Sequence, residues 1–360
     1  MIVNHDSTTA VRHTTVIYGA FKGMGDLLSA APAIVWELNR GSCVVLLVFP
    51  QLPREFLDLI DFGPNRAALR IVPLPTPARP GNMRAFFGRM SRLRPAYVWL
   101  SPHSPGPAAS WRIPLLLSVV KRLYWRDSVM GGAASEPLSR LFDVRVAVDR
   151  SLPFADREWL AYASFRKNGT EAPPLVGFTK AISQARAEPP AYDLLIHPGA
   201  GAKNRAWPLQ HFATLLRHMP ERYRIAVVGI PGDVAAMKAV LPADRKVHYS
   251  SGTLEHAIMI MARSRVLLTM DSGPMFFAQL LRRPTVSLFG ASDPAHVIGH
   301  SKWVNPMYER KWQCQPCGNS HCTQKSVLCM ESLDPRRVAA RLLDLLRETE
   351  RVPVVEQDTR

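Results

Sequence analysis

Short apolar runs that end on glycine-bearing turns and lead into helical patterns recur along this 360-residue chain, and that alternation restricts its fold more than any other feature. VIYGAF (16–21) is apolar, β-branched and aromatic, as a buried strand requires. The turn GMGD (23–26) follows, then the helical pattern LLSAAPAIVWELNR and a second continuous apolar strand, CVVLLVF (43–49). Strands lose their polar alternation when helices cover both faces of a parallel sheet. The second half repeats the scheme. YDLLIH (192–197), RIAVVGI (224–230), RVLLTMD (265–271) and TVSLFG (285–290) read as strands, interleaved with the helical stretches LQHFATLLRHM, VAAMKAVL, TLEHAIMIMARS and SGPMFFAQLL. The expected class is α/β: two Rossmann-like domains facing a cleft.

The 47% hydrophobic content is enough to bury two such cores. Residues 1–15 are expected to form a flexible N-terminus and 16–175 the first domain. A linker is expected at 176–190, within the proline-bearing stretch 168–190, and the second domain at 191–333. The amphipathic stretch 334–350 reads as a C-terminal helix and 351–360 as a tail. AYVWLS (96–101) reads as a further strand. WRIPLLLSVVKRLYWR (111–126) suits either a core helix or a membrane-surface segment, because aromatic and basic residues bracket its apolar stretch.

The start of the chain lacks the apolar region of a secretory signal. The run IPLLLSVV (113–120) is far short of the roughly 20 residues that span a bilayer. The chain therefore reads as cytoplasmic, where structural disulfides are rare. A net charge of +16 favours anionic partners: nucleic acid, a phosphorylated small molecule or the inner membrane leaflet. Scattered arginines on a basic background explain the same charge.

Ligands of open α/β sheets collect at the carboxyl ends of the strands, and four segments stand there. In KGMGD, Asp26 either caps the helix or serves as a general base in the cleft. HPGAGAKNRAWP places two glycines, Lys203 and Arg205 before a helix, as a phosphate cradle or as a solvated loop closed by Trp207. In GIPGD, Asp233 can accept sugar hydroxyls or cap the helix that follows. MDSGPMFFA ends a strand on Asp271 and opens a helix with proline in its first turn, aiming amides at an anion. The chain has no P-loop, no nucleophile elbow and no Asp-x-Asp pair. A phosphate leaving group would then rely on cations and helix dipoles.

Taken in order, KGMGDLLSAAPAI, HPGAGAKNRAWPLQHFATLL, GIPGD, MDSGPMFFAQLLRRPTVSLFGASDP and CQPCGNSHCTQKSVLCMESLDPRRV resemble glycosyltransferase family 9, the ADP-heptose:lipopolysaccharide heptosyltransferases. The resemblance covers most of residues 16–346. It implies the GT-B glycosyltransferase fold and inverting, metal-independent sugar transfer from a nucleotide sugar, ADP-heptose, to a lipopolysaccharide or lipid-linked acceptor at the inner-membrane surface. Nucleic acid is then not a partner. It further implies that Asp26 is the general base, with Lys22, Gly23 and Gly25 on the acceptor side. The donor falls to Gly199, Ala200, Gly201, Lys203, Arg205, Asp233, Asp271, Ser272, Gly273 and Met275. One position departs from the pattern: Phe276 stands where the family commonly has His.

CQPCGNSHCTQKSVLC (314–329) gathers four of the five cysteines, Cys314, Cys317, Cys322 and Cys329, spaced C-x2-C-x4-C-x6-C. Tetrahedral zinc or iron on thiolates, disulfides and uncommitted thiols all fit that spacing. Relatives among the autotransporter heptosyltransferases carry iron on cysteines, which implies a structural metal here. A nucleic-acid knuckle fits poorly: the run contains Lys325 and His321 as its basic candidates and no aromatic residue. A sugar-nucleotide epimerase on the same fold is the enzymatic alternative.

Overall fold

The computed structural model describes residues 14–21, 23–75, 80–93, 95–100, 124–128, 144–146, 152–166, 171–298, 301–319 and 321–351. Its first half contains β1 (Thr15–Phe21), β2 (Cys43–Val48), β3 (Ile60–Asp61), β4 (Leu69–Pro73), β5 (Tyr97–Leu100), β6 (Tyr124–Ser128) and β7 (Val144–Val146). Its second half contains β8 (Gly177–Phe178), β9 (Tyr192–Ile196), β10 (Ile225–Val228), β11 (Val247–Ser250), β12 (Ser264–Met270), β13 (Thr285–Phe289) and β14 (Val304–Tyr308). The helices are α1 (Met24–Asn39), α2 (Arg54–Leu59), α3 (Pro80–Arg92), α4 (Phe154–Arg166), α5 (Lys180–Ala187) and α6 (Leu209–Arg217). They continue with α7 (Pro231–Val240), α8 (Leu254–Ala262), α9 (Gly273–Leu280), α10 (Pro294–Val297), α11 (Leu328–Glu331) and α12 (Pro335–Arg351).

Two six-stranded parallel sheets result, ordered β4-β2-β1-β5-β6-β7 and β11-β10-β9-β12-β13-β14. In each, the chain starts in the middle, runs to one edge and returns to extend the other. That reversal opens a crevice at the carboxyl ends of the two central strands, β1 with β5 and β9 with β12. The central strands are the apolar runs read from the sequence, since only they are covered on both faces.

The edges were not legible. β4, β11 and β14 are half exposed, so they lack a continuous apolar signature. Residues 124–126, read as the end of a helix or membrane segment, instead belong to β6, paired with β5. Residues 111–123 lie outside the described residues, as do 1–13 and 352–360. Within the stretch 176–190, β8 pairs antiparallel with β3, and α5 buries Ile182 and Ala185.

One apolar cluster crosses between the halves. Phe277 of α9 packs on Phe56 of α2, with ring centroids 5.2 Å apart, and on Phe178 at 6.1 Å. The starts of α1 and α9 therefore face each other across the cleft.

Candidate active site

The loops after β9, β10, β11 and β12 surround a cavity of 420 Å3 at the reversal point of the second sheet. Gly199, Ala200, Gly201, Asp233, Ser272 and Gly273 all stand on its wall, with Met24 reaching in from α1. The loop glycines let elements come closer than a side chain would allow. An ideal Cβ on Gly199 would lie 2.5 Å from Asp233 Oδ2 and 3.1 Å from His197 Cε1. One on Gly273 would lie 3.4 Å from Met24 Cε. Burial raises the Asp233 carboxyl above the usual carboxylate range.

Lys203 and Arg205 flank this wall on a short 3-10 turn, Lys203–Arg205. Arg205 Nη1 is 3.5 Å from Asp271 Oδ2, an ion pair too long for a hydrogen bond. It leaves Arg205 Nε and Asp271 Oδ2 buried without hydrogen-bond partners. Asp271 is therefore behind the wall, 5% exposed, and reaches the site through Arg205. Met275 does not reach it: it is fully buried beside Phe289, Ile298 and Val304.

Gly23, Gly25 and Asp26 form the start of α1. Asp26 Oδ2 accepts the Gly23 N–H at 3.0 Å, so the carboxylate stabilises an otherwise unpaired amide of the first turn. Lys22 lies outside the described residues. Phe276 presses on Gly25, where an ideal Cβ would be 2.8 Å from the ring. The aromatic residue that departs from the family pattern thus closes the two helix starts together, one residue from Asp26.

Two wall residues escaped the sequence reading. His197 directly follows β9, and its Nδ1 is buried without a hydrogen-bond partner. Desolvation pushes its imidazole down to about 4, so it is neutral near pH 7. Thr253 accepts the His256 N–H at 3.2 Å and caps α8 beside the cavity. The signal for His197 was its place directly before PGAG, at a strand's carboxyl end.

The four cysteines are free thiols, not disulfides. Cys314, Cys322 and Cys329 line a separate cavity of 360 Å3. Burial, followed by the proximity of Cys322 and Cys317, raises the Cys329 thiol. Among the described residues, no three His, Cys, Asp or Glu side chains stand within metal-holding reach of one another.

Two parallel sheets of this order, joined across a cleft with a glycine-lined cavity in the second, make up the two-Rossmann-domain GT-B fold. The chain belongs to glycosyltransferase family 9 (heptosyltransferase), whose sequence model matches residues 139–328. It is 26% identical over 301 residues to lipopolysaccharide heptosyltransferase 2 of Salmonella typhimurium, covering 74% of this chain and 83% of that protein. The solved structure of E. coli ADP-heptose lps heptosyltransferase II aligns with a TM-score of 0.67 at 16% identity, over 94% of this chain and 100% of that one. The iron-containing dodecameric glycosyltransferase TibC of enterotoxigenic E. coli aligns with a TM-score of 0.56 at 13% identity, over 94% and 77%.

Proposed function

We propose that the chain transfers a heptosyl group from ADP-heptose to a hydroxyl of a lipopolysaccharide core, inverting the anomeric carbon in a single displacement. The observation that carries this reading is the cavity at the reversal point of the second sheet, whose loops face the helix start bearing Asp26. The heptose and the acceptor rest on the likeness to lipopolysaccharide heptosyltransferase 2.

In this reading Asp26 takes the acceptor proton, the acceptor oxygen attacks the anomeric carbon, and ADP leaves. Arg205 meets the departing diphosphate by giving up its long contact with Asp271, which explains a pair with unsatisfied buried atoms. The amides of Ser272 and Gly273 add the positive end of α9. Asp233 accepts donor hydroxyls, with Gly199, Ala200, Gly201 and Lys203 bordering the phosphates. Met275 supports that helix start from behind. Charge stabilisation comes from these groups, and the reaction needs no metal. The cysteine segment takes no part in the chemical step, and no step passes through zinc or iron.

The basic charge supports work against the anionic cytoplasmic face of the inner membrane. Among the described residues no helix is long and apolar enough to cross a membrane. A thermal-shift screen of nucleotide sugars tests the donor, since bound ligand raises apparent stability by mass action. ADP-heptose is expected to shift unfolding more than UDP- or GDP-sugars, and heptose-deficient core is expected to gain a heptose. A new sugar nucleotide released without any acceptor would replace this reading with the epimerase.

A further inference from the structure

The cysteine segment touches the donor loop through one buried side chain. Asn204, 3% exposed, is the middle residue of the Lys203–Arg205 turn. Its Nδ2 donates to the carbonyl of Asn319 at 2.8 Å, across 115 residues of sequence, while its Oδ1 is buried without a partner. Asn319 lies between Cys317 and Cys322.

The segment is itself fastened to the end of β13. Gln315 Nε2 donates to the Gly290 carbonyl at 3.0 Å, and its Oε1 accepts the Lys311 and Trp312 amides, each at 3.1 Å. The Gly318 amide donates to the Ala291 carbonyl at 2.9 Å. Cys329 Sγ would lie 2.8 Å from an ideal Cβ on Gly290, so the thiol rests on bare backbone. The Cys317–Cys322 loop thus meets the Lys203–Arg205 turn through Asn319 and Asn204, and Arg205 of that turn pairs with Asp271.

We propose that the cysteine segment positions Arg205 for the nucleoside-diphosphate leaving group through Asn204, linking the state of the thiols to donor affinity. Asn204 is a positioning residue, since it does not line the cavity. The inference rests on the donor reading above. Binding linkage is reciprocal, so donor binding must in turn restrain the cysteine segment.

The experiment titrates ADP into wild type, Asn204→Ala and the similarly sized Asn204→Leu. Maleimide labelling of Cys314–Cys329 is followed by peptide mass spectrometry. ADP is expected to slow labelling in the wild type. Each variant is expected to bind ADP about fivefold more weakly, as loss of one hydrogen bond implies, with labelling no longer responding to ADP. A purely structural Asn204 would lower the melting temperature while leaving that response intact. Unchanged thiol rates in an ADP-bound wild type, or protection in the variants equal to wild type, overturns the inference. Amide exchange at 199–206 in ligand-free protein, before and after labelling, separates it from the donor reading. Faster exchange after labelling supports the coupling even if ADP fails to bind; unchanged exchange removes it.

Discussion

Both sheets run in the same strand order, but their interiors differ in kind. Behind the first sheet, Glu37 and Glu158 are fully buried. Glu37 Oε1 accepts from Tyr97 at 2.6 Å and Tyr162 at 2.7 Å, Ser42 donates to Oε2 at 2.6 Å, and Arg166 Nε stands 3.1 Å away. Glu158 accepts from Trp99 at 2.9 Å and from Tyr18. Burial, then the Glu37 charge, holds the Tyr97 hydroxyl far above an ordinary phenol. The second half buries hydroxyls at Ser264, Thr269, Thr285 and Ser287 together with Arg283, and opens into the 420 Å3 cavity. Glu37 ties α1 to α4 through Tyr162 and Arg166, Glu158 ties α4 to β1 and β5, and α1 carries Asp26. The glycine loops of the second sheet leave room for a ligand. One half holds a carboxylate still, while the other makes space.

That division can be broken most sharply at Asp26. Asp26→Ala is expected to lower turnover by roughly two to four orders of magnitude while ADP still binds to the other half, as steady-state kinetics and calorimetry would read. Near-wild-type turnover would move the general base elsewhere. Glu37→Ala removes the acceptor shared by Tyr97, Tyr162, Ser42 and the part-exposed Arg166, so chemical denaturation should show a loss of about 1–3 kcal/mol. If the halves divide their work as described, the protein that remains folded keeps its ADP affinity.

The seam between the halves gives an effect of similar size. Gly25→Ala forces the Phe276 ring to move and is expected to cost about 1–3 kcal/mol. Phe276→Ala should recover part of that loss in a double-mutant cycle; additive losses would show that the two residues do not compete for space. His197 gives the smallest. Its imidazole should titrate by NMR near pH 4 rather than its ordinary 6.5. The unfolded chain then takes up the proton first. The stability gained from keeping His197 neutral is full above pH 6.5 and is lost as pH falls towards 4. A midpoint above 6 would place the ring in water.

The legible parts of the fold were those whose burial leaves a one-dimensional trace. β1, β2, β9, β10, β12 and β13 are central strands, and their apolar runs could be read directly. β4, β11 and β14 face solvent on one side and show no such run. In 124–126 the aromatic and basic residues that suggested a helix or membrane surface sit in a strand, because residue types fix neither the period nor the partner. At the site, Gly199, Gly201 and Gly273 of those turns line the cavity. Met275 lies in the same motif yet points into the core, since successive residues of a helix start face different directions.

The sequence by itself determined the alternation of strand and helix, the glycine turns at strand ends, the Asp26 and Arg205 segments and the spacing of the cysteines. Local backbone preference and burial period write these into consecutive residues. Tertiary structure alone decided that Phe276 closes on Gly25, that Arg205 waits on Asp271, and that Asn204 meets Asn319. Each joins segments between 66 and 251 residues apart, a separation over which no local propensity acts and only packing chooses the partner.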